Sequence, residues 1–535
     1  MAETTGTKLR RLLSAADSGN AATRPILLGS LAWTAAAAWA ASTAYSIGNI
    51  VSNGGNFYLC LGSGTSASSG GPGGAIIGNR ITDNSVYWVF IASTTLYPAG
   101  TIVSNGGNCY IARIGGNPAT SGTGPTGRGT GITDGSVTWD YCGPQTAPVL
   151  TRSLTHNSAL TNQYQATNSL ADNTGIFRFR GGVPTSKFGR FVGTPVVNIA
   201  PAGGNFAGTQ NALYSSAETT LEGTKIEWDL NTVTTPVHHI VDGAYIDQVV
   251  MLCNNGGDEF HTLDFTNVIS QSGALTGAGR SRHKVRVEWS PGTILCQAAV
   301  APIDKLSYPS AQDNFATCII GDSWSQGTGT CWPPATANND FVQAYAAQFM
   351  HRAGLPDINQ VAIGGTGYTN PGASSTYISH IMTDLAAINA WRPIGMIIFQ
   401  GSTNDENSTA SAAQAAAFAC FQAVRGVYPT VPIIVLGCND LETLTPTASA
   451  SVESWVSAAV AQQKATGDNN IYWVPMVGDP NGAWFTGSGS DQAPNGTGNN
   501  DVDCNGLIAH PSNNGHAMIA MRLANAYRTV VASMA

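Results

Sequence analysis

The hydrophobic period changes once along this 535-residue chain, and that change constrains the fold more than any other feature. Up to about residue 310 the pattern is β. Phe177-Arg-Phe-Arg180, Lys225-Ile-Glu-Trp228 and Lys284-Val-Arg-Val-Glu-Trp289 alternate apolar and charged residues, as strands with one buried and one wet face do. Turns such as Ala202-Gly-Gly-Asn205 and Ser290-Pro-Gly292 separate them. A β-sandwich over residues 143–310 is the expected architecture.

After Ala311, buried strands alternate with helical stripes. Phe315–Ile320, Ile358–Ile363, Ile394–Phe399, Val431–Leu436 and Ile471–Val474 read as strands. Phe341, Tyr345 and Phe349 recur at i, i+4 and i+8 on a helix that Gly354 ends. Ile378, Ile381, Leu385 and Ile388 form a second stripe, and an Ala-rich helix covers Ala412–Arg425. Further helices are expected near Val452–Lys464 and from about Ser512. Such alternation gives a three-layer α/β domain with a parallel sheet over 311–535. Reactive groups in that class gather at the carboxyl ends of the strands.

The first part of the chain repeats itself. Tyr45-Ser-Ile-Gly48-Asn-Ile50-Val51-Ser52-Asn53-Gly54-Gly55-Asn56-Phe57-Tyr58 recurs as Tyr97-Pro-Ala-Gly100-Thr-Ile102-Val103-Ser104-Asn105-Gly106-Gly107-Asn108-Cys109-Tyr110. Ile81-Thr-Asp-Asn-Ser-Val-Tyr-Trp88 recurs as Ile132-Thr-Asp-Gly-Ser-Val-Thr-Trp139. Each unit reads as a hairpin turning on Asn-Gly, a Gly-rich loop and a closing Trp strand. The organisation expected is an N-terminal segment 1–32, repeats over 33–92 and 93–142, the sandwich, then the α/β domain. The repeats resemble small chitin- and cellulose-binding modules and similar repeats of phage tail proteins. That resemblance implies sugar stacking on Tyr58, Trp88, Tyr110 and Trp139. The competing reading, favoured for any one of them, is that these rings fill a small core.

Charged residues make up only 10% of the chain, against about 25% in ordinary soluble domains. Hydroxyls, amides and backbone must solvate the surface, which suits an extracellular or virion protein better than a cytosolic one. The net charge is −8 and no Lys/Arg run is present, so neither nucleic acid nor an anionic membrane is an expected partner. Lys8, Arg10 and Arg11 precede an apolar stretch from Ile26 to Ala41, which loosely imitates a secretory signal. The polar segment Ser14–Arg24 separates the two, and the stretch runs on into the first repeat. A cleaved signal is therefore not expected, and the stretch is too short for a membrane span. The ten cysteines form no CxxC or Cys/His cluster, so no metal site is expected. Cys109 with Cys142 and Cys318 with Cys331 are conceivable disulfides; free buried thiols are the alternative.

The first strand of the α/β region runs into Gly321-Asp322-Ser323-Trp324-Ser325-Gln326-Gly327. Gly321 permits a sharp turn, and Ser323 falls where strand gives way to helix. This block, with those that follow it in order, resembles the SGNH (GDSL-like) serine hydrolases. The resemblance implies Ser323 as nucleophile. It implies a second-block backbone N–H as oxyanion donor, from Gly365 in Val361-Ala-Ile-Gly364-Gly365-Thr366-Gly367-Tyr368, with Gly367 as alternate. It implies the Asn404 amide as another donor, from Gly401-Ser402-Thr403-Asn404-Asp405, and His510 of His510-Pro511 as base. His516 is expected to be structural. Two departures stand out. Ser402 occupies the usual place of a Gly, and Leu507 occupies the place of the Asp that orients the imidazole. Asp503 or a backbone carbonyl is left for that task.

The expected chemistry is ester hydrolysis without metal or organic cofactor. The leading substrate is an O-acetylated polysaccharide, acted on by a phage tail-fibre or tailspike enzyme. The alternatives are a lipase-like carboxylesterase and an inactive glycan-binding adhesin. Virion attachment or a homo-oligomer would suit a tail protein, though no heptads support a trimer.

Overall fold

The computed structural model describes residues 30–75, 80–165, 175–188, 195–200, 214–232, 235–246, 251–253, 257–268, 281–290, 294–309, 315–330, 340–372, 376–438, 446–506 and 510–534. Lys8, Arg10 and Arg11, the start of the apolar stretch at Ile26, the turn at Ala202–Asn205, Cys331 and Leu507 lie outside them. Among the described residues no helix is long and apolar enough to cross a membrane.

The two repeats form separate sheets of antiparallel hairpins, the first joined in parallel by Ala36–Ala38. In both, the Asn-Gly-Gly-Asn turn closes with two glycines at positive φ, Gly54 and Gly55 at 59° and 79° and Gly106 and Gly107 at 58° and 77°, as a type I′ hairpin requires. Asp83 accepts from the indoles of Trp39 and Trp88, and Asp134 from those of Trp33 and Trp139. The N-terminal strand thus serves both units. Trp33 N–H bonds Ser104 O in the second repeat, and Trp39 N–H bonds Ser52 O in the first. The four aromatics expected to stack on sugar are all at most 1% exposed. Tyr58 and Tyr110 hydroxyls bond Gly74 and Gly127 carbonyls. Buried faces cannot receive a sugar ring, so the glycan role implied for Tyr58, Trp88, Tyr110 and Trp139 is corrected to that of core. Cys109 and Cys142 are free thiols, as is Cys318.

The described strands between 149 and 307 form two seven-stranded antiparallel sheets. Ile226, Trp228, Leu230, Val285, Val287 and Trp289 meet in one apolar core between them. The opposite face of one sheet departs from the expectation of a wet surface. Arg178, Arg180, Arg286 and Glu288 are buried, and the α/β domain covers the last three. Arg180 bonds the Pro356 carbonyl and pairs with Glu218. His351 pairs with Glu288 at 3.0 Å, and Gly181 N–H donates to Asp357. Period-two alternation reports two environments, but not whether the polar one is water or a second domain.

In the α/β domain, strands β1 (Ala316–Gly321), β2 (Ile358–Ala362), β3 (Ile394–Gln400), β4 (Ile433–Leu436) and β5 (Ile471–Val474) form an all-parallel sheet of order 2-1-3-4-5. Helices α1 (Ser323–Gln326), α2 (Tyr345–Ala353), α3 (Tyr377–Trp391), α4 (Ala410–Val427), α5 (Pro446–Ala465), α6 (Asn500–Asp503) and α7 (Asn513–Met534) complete the described set. Ile319 and Ile398 pack with α2 and α7 on one face. Ile320, Ile397 and Phe399 pack with α3, α4 and α5 on the other, which is why these strands read as continuous apolar runs. Phe341 stands outside the helix expected to hold it: Ala344 is extended, and α2 begins at Tyr345. The buried His516 Nδ1 accepts the Tyr345 N–H and so caps the helix start. Gly354 ends it in the left-handed conformation, as expected.

Candidate active site

The switch point of a 2-1-3-4-5 sheet lies at β1, where chain connections leave in opposite directions and open a crevice at the carboxyl ends. Ser323 follows β1 there. Asp322 caps α1 by accepting the Trp324 N–H at 2.9 Å, which holds Ser323 at the first helical position. Ser323 and His510 are both partly exposed, and Ser323 Oγ lies 2.8 Å from His510 Nε2. The pair is separated by 187 positions in sequence.

His510 sits on a two-residue strand paired with Cys504–Asn505. Gly329, at φ +101°, packs under it: a Cβ there would stand 2.9 Å from the His510 Cβ. Asn505 Nδ2 donates to the Gly329 carbonyl, and the buried His516 Nε2 bonds Thr328 O at 3.2 Å. Because His516 Nδ1 accepts from Tyr345, the proton lies on Nε2 and the ring is neutral. Burial lowers its pKa to about 4 from 6.5. Its role is structural, fastening α7 to the loop beneath the catalytic imidazole.

The second and third blocks interlock. Asp405 accepts from the backbone N–H groups of Tyr368, Thr369 and Asn370, and this nest of donors shapes the loop after β2. Gly367 packs against the same carboxylate. The glycine N–H groups of this loop are not equivalent. Gly364 N–H goes to Gln326 Oε1 and Gly367 N–H to Asn370 O. Gly365 N–H has no hydrogen-bond partner among the described residues, and Gly365 is at φ +77°. Of the two glycines weighed from sequence, Gly365 therefore keeps a free donor. Gly364 lies beside the nucleophile, its missing Cβ position being 3.5 Å from Ser323 Cβ.

Asn404 Nδ2 lies 2.9 Å from Thr366 O and 3.1 Å from Ser402 Oγ. Ser402, the departure noted in sequence, is fully buried. Its hydroxyl lies 2.9 Å from Asp322 Oδ2 and 2.8 Å from Thr366 O and accepts the Asn404 N–H. It links the loop after β3 to the turn that carries Ser323. Burial pushes the Asp322 carboxyl up to about 6, against the pull of the Trp324 N–H and Ser402.

Asp503 is not brought to the imidazole. Its carboxylate accepts from Asn499 Nδ2 at 2.9 Å, and its carbonyl accepts the Ser512 N–H. The strand that lies against His510 begins one residue later, at Cys504. The roles of Asp322, Ser402, Asp405 and Gln326 escaped the sequence reading. Asp322 and Asp405 carry a signal as members of the first and third blocks, and Ser402 as a departure from the third; Gln326 carries none.

A Ser–His pair at the switch point of a doubly wound sheet, flanked by loops that end β2 and β3, defines the class of α/β serine-hydrolase architectures. Residues 319–518 match the GDSL-like lipase/acylhydrolase family; the chain carries a domain of that family. No curated protein matches the sequence significantly. Among solved structures it is similar to a family two carbohydrate esterase from Clostridium thermocellum in complex with cellohexaose, at 18% identity and TM-score 0.44, over 66% of this chain and 98% of that one. It is also similar to the acetyl xylan esterase Est2A from Butyrivibrio proteoclasticus (13% identity, TM-score 0.42, 66% and 98% covered). A third is the salicylyl-acyltransferase SsfX3 from a tetracycline biosynthetic pathway (14% identity, TM-score 0.44, 68% and 96% covered).

Proposed function

We propose that the α/β domain is a serine esterase that removes O-acetyl groups from a polysaccharide. The observation that carries the esterase reading is the 2.8 Å contact of Ser323 Oγ with His510 Nε2. Ser323 Oγ attacks the ester carbonyl carbon while its proton passes to His510 Nε2. The carbonyl oxygen becomes an oxyanion, which the Ser323 and Gly365 N–H groups and the Asn404 amide hold. The Asn404 amide rests on Thr366 O and Ser402 Oγ, and the longer contact, to Ser402 Oγ at 3.1 Å, gives way to the oxyanion. His510 then gives its proton to the departing sugar oxygen as the carbon–oxygen bond breaks. Water, losing a proton to the same imidazole, cleaves the acyl-serine and releases acetate.

The small acyl group is supported by the residues at the mouth. Gly364, Gly365, Asn370 and Asn404 are small or polar, and all are partly or fully exposed. Such a mouth gives a long acyl chain little apolar surface, whereas a short acyl on a bulky polymer enters without burying the polymer. The low charge and the tail-like repeats support a protein that works outside the cell or on a virion. Recovery in purified virions or culture medium, rather than cytosol, tests that placement.

Acetate release from an acetylated polysaccharide, set against hydrolysis of short- and long-chain aryl esters, tests the substrate. Acetyl esters are expected to turn over at least about tenfold faster than long-chain ones. The opposite order would favour the lipase-like alternative, and no turnover of any ester would favour the inactive adhesin.

A further inference from the structure

We propose that Asp229, Asp258 and Cys296 bind a zinc-class divalent cation on the sandwich, away from the esterase site. Trp228 and Leu230 point into the sandwich core, so Asp229 between them faces the other way. On that face Asp229 pairs with Gln297, and Asn231 with Asp258. The pairing slips by one residue between Asp229 and Leu230, which leaves Cys296 as the extra residue of a β-bulge. Bulges re-aim a side chain, and this one brings a thiol to the two carboxylates. One ligand atom from each of the three residues lies within 4.8 Å of the others. No two of the three are near neighbours along the same strand, which is why counting cysteines could not reveal them.

Proximity of acids alone does not make a site. The observation that points to a ligand is Asp229 Oδ1: Asp229 is only 8% exposed, yet this oxygen has no hydrogen-bond partner. An unsatisfied buried carboxylate oxygen is costly, and a cation would satisfy it. Burial, then Asp258, pushes the Asp229 carboxyl up to about 8. Burial, then both aspartates, raises the Cys296 thiol.

Cation binding breaks the Cys296 S–H bond, forms a metal–sulfur bond and metal–oxygen bonds to Asp229, and releases the thiol proton to solvent. Asp258 supplies the third ligand, and Asn231 Nδ2, 2.8 Å from Asp258 Oδ1, orients it. A thiolate with two carboxylates suits zinc or cobalt better than calcium or magnesium, which take oxygen alone. The site would cross-link strands Lys225–Thr232, Gly257–Asp264 and Ile294–Val300.

The test uses the full-length protein, dialysed against chelator and titrated with zinc and cobalt. One equivalent of zinc is expected to bind and raise Tm, and cobalt is expected to give a thiolate charge-transfer absorption. Cys296→Ser should remove that absorption, and Asp229→Asn should weaken zinc binding by about tenfold or more. Both variants should hydrolyse esters like the wild type. No bound equivalent in the wild type, or an unchanged cobalt spectrum in Cys296→Ser, overturns the proposal. The wild-type spectrum decides the matter alone if a variant fails to fold: without the thiolate absorption the proposal is wrong.

Discussion

Ser402 Oγ lies 2.9 Å from Asp322 Oδ2, so a side chain two residues before the proposed oxyanion donor is tied to the residue just before the nucleophile. The same hydroxyl accepts the Asn404 backbone N–H and lies 3.1 Å from its amide. A glycine at this position leaves those contacts unmade. Ser402→Ala and Ser402→Gly are each expected to lower kcat about tenfold, or roughly 1.4 kcal/mol, with little change in KM. A larger rise in KM than fall in kcat would show that Ser402 shapes substrate binding instead.

Removing the donor itself should cost more. Asn404→Ala is expected to lower kcat about 100- to 1000-fold, the usual loss for one oxyanion donor, while Tm stays close to wild type. Steady-state kinetics on a small acetyl ester checks this, and a change under threefold would place the amide outside the reaction.

Gly329 makes no direct contact with substrate in this scheme. At φ +101°, and with the His510 Cβ 2.9 Å from where its own Cβ would stand, Gly329→Ala must shift the loop or the imidazole. A displacement of about 1 Å at a catalytic base costs on the order of 100-fold in rate. The variant should lose activity but retain its near-ultraviolet circular dichroism. Full activity would show that the loop yields without moving His510.

Two buried groups of the domain give opposite pH dependences. Burial lowers His516 to about 4 from 6.5; its contribution is present above pH 6.5 and is lost as pH falls through about 4. Burial raises Asp322 from 3.8 to about 6; stability is full below its unfolded value and declines as pH rises through about 6. Each is worth about 3 kcal/mol over its window. Urea melts at pH 4.5 and 7.5 separate them. His516→Asn keeps an acceptor for Tyr345 and should be least penalised, relative to wild type, at the acid end. Asp322→Asn keeps the cap on Trp324 and should gain relative to wild type at the alkaline end. Parallel shifts at both pH values would contradict both assignments.

Trp88 and Trp139, with their indoles on Asp83 and Asp134, hold the repeats together. Replacing either with Ala should cost about 3–5 kcal/mol and melt that repeat before the rest. A variant with unchanged melting but lost glycan binding would restore the sugar-stacking role.

The site was legible wherever one local pattern carried it. Gly321-Asp322-Ser323 follows a wholly buried strand, Asn404 closes the third strand's loop and His510-Pro511 precedes α7; the sheet order then brings them to one edge. Gly365 could not be separated from Gly367 by spacing, because the difference lies in which N–H a neighbour already uses. Only nearness in sequence points to Asp503, and its carboxylate faces Asn499 instead. The alternating strands were read correctly as two-faced, but Arg180 and Glu288 mark a face covered by another domain, and period alone carries no information about that. In the repeats, Tyr and Trp at strand positions fit both a core and a sugar platform. The Asp83 and Asp134 acceptors decide for the core, and their spacing to Trp88 and Trp139 was visible though unread.

Ser323 is the residue expected to become acylated, with His510 as its base. Intact mass and peptide mapping after reaction with an activated aryl ester or a phosphonate measure this directly. One modification is expected, on the peptide holding Ser323, and it should form about 10,000-fold more slowly or worse in His510→Ala. A label on any other residue, or equal labelling of Ser323→Ala, would contradict it.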